Sequence, residues 1–243
     1  MPRIPRKLKN DPIVEALFEV RFASDQIPEV VLGKLASRDC WTDYKTVRLA
    51  LADIPAAIRD NDPNLVYQPL WQLQANDGKR VIKSGPRVFS YHVLQPYPGW
   101  AVFEPELVSA TDFLFGILGP LTVMRYGFRY INVLTKDHFV TSLANLNFGV
   151  RLADAPVTWP INLNYQRGHS SHHRVMVRVA PKEFVQNPTE GLGALIDIDV
   201  FTPTDFKSDG SDKIKWVGEA HKFLKEEFFT LLPDALIDRL EEK

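Results

Sequence analysis

Half of the six histidines, His169, His172 and His173, fall in one octapeptide, Arg167-Gly168-His169-Ser170-Ser171-His172-His173-Arg174. Imidazole nitrogens hold zinc when they converge at about 2 Å, and His-x-x-His in a hairpin turn can reach that geometry. Arg167 and Arg174 at the two ends oppose a cation, and no cysteine or carboxylate lies in the loop. The same residues also read as adventitious surface histidines or as a phosphate contact, and no tightly bound metal is expected. Asp197 and Asp199 stand two apart in a strand-like run, which puts both carboxylates on one face and suits a divalent cation. A phosphoryl-transfer site usually adds a third carboxylate or a Gly-rich phosphate cradle, and the sequence offers no such loop. Cys40 is the one cysteine, so no intrachain disulfide forms. Its neighbours Asp39 and Asp43 would raise a thiol pKa, the wrong direction for a nucleophile. His92, His138 and His221 are isolated, and Ser170 and Ser171 lack the strained turn of a nucleophile elbow. No catalytic residue is assigned and no cofactor is expected.

Arginines and carboxylates alternate in a way that needs a sheet. Val14, Ala16, Phe18, Val20 and Phe22 point one way along the first strand, leaving Glu15 and Glu19 on its polar face. Arg125, Gly127 and Arg129 share one face of a later strand, opposite Tyr126, Phe128, Tyr130 and Asn132. Neighbouring strands would let these carboxylates meet these guanidiniums at roughly 0.2–1 kcal/mol per pair. Arg174 and Arg178 face one way on another strand, and Asp197 and Asp199 on the next, which repeats the theme. Two readings stay open: a cross-strand charge ladder that fixes register, or the charged floor of a ligand groove. Nucleic acid is a further candidate partner. Arg3, Arg6, Lys7 and Lys9, then Lys79, Arg80, Lys83 and Arg87, could contact phosphates, with Trp71, Tyr91 and Trp100 as stacking rings. Against it stand a formal charge of −1 and a pI near 6.6, so only weak, salt-sensitive binding is expected.

The elements that must position these residues follow from pattern and punctuation. Strands are expected over 12–22, 46–52, 66–74, 79–83, 88–94, 100–103, 121–135, 159–166, 174–180 and 195–201. Helices are expected over 27–37, 106–118, 213–231 and 234–240, with Gly119-Pro120 and Pro233 as breakers. Short strands divided by turns point to an α+β fold with antiparallel sheets, in two pseudo-repeated halves each with a helix packed on one face. The expected boundaries are 1–135 for the N-terminal half, 136–156 for a linking segment and 157–243 for the C-terminal half, with one compact domain as the alternative. In the long closing helix Val217, Ala220, Leu224, Phe228 and Leu231 form a stripe. Trp216, Phe223 and Phe229 fall beside it. They pack between the halves, or they form an exposed interface rimmed by Lys222, Lys225, Glu226 and Glu227.

The 243 residues are 45% apolar and 24% charged, the balance of a globular protein rather than a disordered or collagen-like chain. Asp11, Pro12, Glu15 and Glu19 follow the basic start where a signal peptide needs an apolar run. The run Phe113 to Met124 is too short and broken to span a membrane. A cytoplasmic protein is therefore expected.

Two segments carry a family likeness. Pro12-Ile13-Val14-Glu15-Ala16 with Glu19-Val20-Arg21-Phe22, and Arg125-Tyr126-Gly127-Phe128-Arg129-Tyr130-Ile131-Asn132, resemble a sporadically distributed bacterial protein family of about 250 residues with no established function. The resemblance supplies no catalytic residues. Its scattered occurrence implies mobile genes, and with them a role in defence or toxin neutralisation. The expected function is a non-enzymatic protein-binding module of the inhibitor, immunity or antitoxin kind, partnered by another protein such as an adjacent-gene product, and able to form a homodimer. The alternative is a metal-dependent nucleic-acid or phosphoester-processing enzyme using Asp197, Asp199 and the histidines.

Overall fold

The computed structural model describes residues 2–36, 41, 43–157, 161–181 and 193–242. Cys40 and Trp159 lie outside the described residues. The strands are β1 (Ile13–Ala23), β2 (Tyr44–Arg48), β3 (Trp71–Ala75), β4 (Arg80–Gly85), β5 (Val88–Leu94), β6 (Thr122–Thr135), β7 (Val150–Leu152), β8 (Ala155–Val157), β9 (Leu163–Gly168), β10 (Arg174–Pro181) and β11 (Gly193–Phe201). The helices are α1 (Pro28–Ala36), α2 (Ala56–Arg59), α3 (Trp100–Leu118), α4 (Lys213–Thr230) and α5 (Asp234–Leu240). Hydrogen bonding orders nine strands as β2-β3-β4-β5-β1-β6-β11-β10-β9, with β7 and β8 paired separately. The pairs β2/β3, β3/β4, β4/β5 and β9/β10 are antiparallel. The fold is α+β, with a large antiparallel sheet and packed helices. Among the described residues no helix is long and apolar enough to cross a membrane.

The expected strand at 100–103 is instead the first turn of α3. Pro105 lies inside this helix. Phe103, Leu107, Ala110, Leu114 and Leu118 nevertheless form one buried stripe, and its burial outweighs the single backbone bond that proline removes. Gly99, at φ 89°, lets the chain turn from the Pro-rich loop into this helix.

The chain divides into two compact units. One comprises Ala16–Phe128 and Phe201–Val217. Its core is aromatic: Phe18 lies 5.6 Å from Tyr126 and 6.2 Å from Trp216, and Phe103 stacks on Tyr91 at 6.1 Å. Phe18, Phe22, Phe103 and Phe128 are fully buried, and each such side chain contributes roughly 1.5–3 kcal/mol by leaving water. On the opposite face of β6, a Cβ at Gly127 would stand 2.1 Å from Arg125 Nη1, so the Arg125 side chain would have to shift to admit one.

The other unit comprises Met1–Glu15, Arg129–Val200 and Gly218–Lys243. Val175, Val177, Val179, Ile196 and Ile198 of its strands and Ala220, Leu224 and Phe228 of α4 are all buried. The basic arm docks: Lys9 N–H donates to Leu240 O at 2.8 Å, Lys7 pairs with Glu242 at 2.6 Å, and Arg3 pairs with Asp238 and Glu241. Arg3 and Lys7 are thus paired with carboxylates of the C-terminal segment.

Beneath α4, Tyr130 Oη lies 3.1 Å from His221 Nδ1. Burial, aided by Lys225, lowers the His221 pKa from 6.5 to about 4. The folded state holds this ring neutral, so unfolding takes up a proton between those two values. Stability therefore rises with pH from about 4 to 6.5 and is level with respect to this group below 4. At about 1.4 kcal/mol per pH unit, the loss on acidification through that window is up to ~3 kcal/mol. Burial lowers His138 in the same direction. Urea unfolding across this pH range should show a shallower dependence in His221→Gln than in the wild-type chain. An identical slope in both would remove His221 from this account.

Candidate functional site

A groove of about 780 Å³ opens at the edge of the first unit described. Four segments build it. The start of β2 supplies Asp43 and Tyr44, the β3–β4 turn supplies Asn76 and Asp77, β4 and β5 supply Arg80 and Tyr91, and α3 supplies Pro105, Glu106 and Ser109. Trp41 completes the wall, 5.0 Å edge-on to Tyr44. The turn is set by its own chemistry: Asp77 Oδ1 accepts from Lys79 N–H at 2.8 Å, and Gly78 takes φ 71°.

Glu106 is the pivot. Arg80 donates to it twice, Nε to Oε2 at 3.1 Å and Nη2 to Oε1 at 2.8 Å, and Tyr91 Oη donates to Oε2 at 2.9 Å. Burial, reinforced by the Glu106 charge, pushes the Tyr91 pKa up, which keeps its hydroxyl a donor. The hydrogen bond from Arg80 to Glu106 raises the arginine pKa in turn. The lining therefore carries carboxylates at Asp43, Asp77 and Glu106 against one guanidinium at Arg80. Carboxylates and the aromatic side chains of Trp41 and Tyr44 in one lining make an environment suited to an organic cation.

The charged sheet positions pair in part. Arg125 Nη1 meets Glu19 Oε1 at 2.9 Å, and Arg21 Nε shares the same oxygen at 2.7 Å. Arg125 also lies over the Phe201 ring at 5.0 Å, and Arg21 over Tyr67 at 5.2 Å. Arg129 takes Asp197, Nε to Oδ1 at 2.7 Å and Nη2 to Oδ2 at 2.6 Å. That hydrogen-bonded pair raises the Arg129 pKa further, with Asp199 and Glu15 contributing through space. The bidentate partner of Asp197 thus comes from β6 rather than from the neighbouring β10. Arg174 turns onto its own hairpin, donating to Ser170 O at 2.7 Å, and Arg178 Nε donates to Asn162 Oδ1 at 3.2 Å.

The histidine loop folds against α4. His169 packs on Phe223 at 4.2 Å with the rings tilted by 34°, and His173 meets the same ring edge-on at 5.0 Å. His169 Nε2 lies 3.0 Å from Glu227 Oε1, and Arg167 Nε donates to that oxygen at 2.9 Å. His173 Nε2 lies 3.9 Å from Glu219 Oε2, and Ser170 Oγ lies 2.9 Å from His173 Nδ1. His172 stays exposed, 2.8 Å from Ser171 Oγ through Nδ1. Among the described residues no group of three or more His, Cys, Asp or Glu side chains stands close enough to hold a metal.

The three off-stripe aromatics do not form an exposed patch. Trp216 and Phe229 are buried, and Phe223 is half-buried beneath the two imidazoles. Glu227, expected on a charged rim, is 1% exposed, with Arg167 and His169 Nε2 both set against its Oε1. The stacking role also changes: Tyr91 is buried, and Trp100 packs at 5.8 Å on Phe128.

Neither a model of a known protein family nor a curated protein matches the chain. Sequence reasoning missed the groove. Arg80 and Tyr91 had suggested phosphate and base contacts, whereas Glu106 claims both. The available signal was the Asn76-Asp77-Gly78 turn, which delivers an acid to the end of a hairpin.

Asp197 is 9% exposed and Arg129 40% exposed. Arg129→Met should therefore cost about 2 kcal/mol, below the usual cost of stripping a buried carboxylate because water reaches this one from the arginine side. The double variant Arg129→Met, Asp197→Leu should recover at least half of that loss. Denaturant midpoints across the four-member cycle give the answer, and a strictly additive cycle would contradict the pairing.

Proposed function

We propose that this chain is a non-enzymatic protein-binding module, and that its groove receives a cationic side chain, lysine or arginine, from a protein partner. The observation that carries this reading is the lining: Asp43, Asp77 and Glu106 beside the rings of Trp41, Tyr44 and Tyr91. An ammonium or guanidinium group gains from the ring faces, about 0.5–2 kcal/mol each according to how well it is desolvated, and from charge-assisted hydrogen bonds to the carboxylates. Arg80 has a supporting part. It fixes Glu106 in place, so the groove is shaped before the ligand arrives.

The role is that of an inhibitor or immunity-type partner, acting in the cytoplasm on another protein such as an adjacent-gene product. The enzyme alternative has less support, since both Asp197 oxygens bond Arg129 and His169 and His173 pack on Phe223. The run β3-β4-β5-α3 and the run β9-β10-β11-α4 share one element order. That order is the support for reading them as pseudo-repeated halves.

Tryptophan fluorescence titration with acetyl-arginine amide tests the function. Saturable binding is expected, weakened at least about tenfold by Asp77→Asn with Tyr44→Ala, weakened by added salt, and absent for acetyl-glutamate amide. Binding that ignores both the variant and the sign of the ligand charge would reject the reading.

A further inference from the structure

The groove opens beside an unshared sheet edge. Among the described residues β2 has β3 on one side and no strand on the other. Lys45, Thr46, Val47 and Arg48 are all exposed, Val47 at 43%. Asn76 N–H donates to Asp43 O at 3.2 Å, and Leu49 N–H donates to Leu70 O at 2.9 Å. These bonds belong to opposed pairs of the β2/β3 register, which runs through Lys45↔Gln74 and Val47↔Gln72. Antiparallel pairing alternates along a strand, so Thr46 turns its N–H and C=O away from β3. Such an edge is a template for another strand.

We propose that the strand it takes is β2 of a second copy of this chain, and that Arg48 of the partner subunit fills the groove. The inference rests on the groove reading above and names its occupant. Antiparallel pairing about a two-fold axis at Thr46 sets Tyr44 opposite the partner subunit's Arg48. Tyr44, Thr46 and Arg48 share one face of the strand, and Tyr44 lines the groove. Directly opposed residues lie about 4.5–5.5 Å apart, well within the reach of an arginine. The guanidinium then stands by Asp43 and Asp77, at the faces of Tyr44 and Trp41. On the other face the aliphatic stem of Lys45 covers Val47 of the partner subunit.

The contact is self-complementary. Each copy gives one arginine and receives one, so the pair closes and does not propagate into a fibre. In the single chain Arg48 bonds Ala52 O at 2.9 Å and pairs with Asp53, with the two side chains 50% and 67% exposed. An ion pair so open to water is weakly held, and Arg48 can exchange it for the partner's carboxylates.

Light scattering over a concentration series tests this with the whole chain. The wild-type protein is expected to form a dimer. Arg48→Glu, which brings acid to an acidic groove, and the Asp43→Arg, Asp77→Arg double variant, which brings base to a basic one, should each dissociate at least about tenfold more readily. An equal mixture of the two should dimerise again, because both grooves are then complementary. Thr46→Pro removes the central N–H and should leave a folded monomer by circular dichroism. If that variant fails to fold, the charge-swapped mixture decides alone. A wild-type chain that stays monomeric at every concentration, or a mixture that does not recover, would overturn the proposal. Binding of acetyl-arginine amide to such a monomer would leave the groove reading intact and locate the failure in the strand pairing.

Discussion

A carboxylate that leaves water must be met by donors from whatever encloses it. Glu106 is met by Arg80 from β4 and Tyr91 from β5. Three hydrogen bonds on one side chain tie a helix to two strands and fix the floor of the groove beside them. Tyr91 joins that polar knot to the apolar core, since its ring stacks on Phe103 at 6.1 Å. The acids at the rim gain their orientation from the same frame. Asp77 hangs on a turn between β3 and β4, and Asp43 leads into β2.

Elsewhere the molecule repeats one solution with different residues. Glu19 is shared by Arg21 and Arg125, Asp197 is clasped by Arg129, and Glu227 is held by Arg167 and His169. In each case a guanidinium pairs with a carboxylate more buried than itself, or nearly as buried. These clusters link β6 to β1 and to β11, and β9 and its hairpin to α4. The groove differs in that Asp43 and Asp77 extend its lining beyond the Glu106 knot, and aromatic rings stand next to them.

Much of the sheet was legible because alternation is a local signal. Ala16, Phe18, Val20 and Phe22 are buried as their spacing implied, and the closing helix buries its stripe. The pairing of charges was less legible. Sequence places Arg129 and Asp197 on faces of strands but not beside each other. That depends on β6 and β11 being neighbours, which the 57 residues between the two strands do nothing to announce. The histidine run drew attention by density, yet Phe223 and Glu227 decide its role, and they come from a helix far along the chain. The groove was invisible for the same reason. Its acids come from three separate turns and helices, each ordinary in isolation.

The central claim is that a cation enters between Tyr44, Asp77 and Glu106. Its most direct test is an amide and indole chemical-shift map recorded while acetyl-arginine amide is added. The account predicts perturbations concentrated at the Trp41 indole, Tyr44, Asn76, Asp77, Glu106 and Ser109, with the His169 and Phe223 region unchanged. Shifts centred on that histidine region, or scattered over the surface with no focus at the groove, would contradict it.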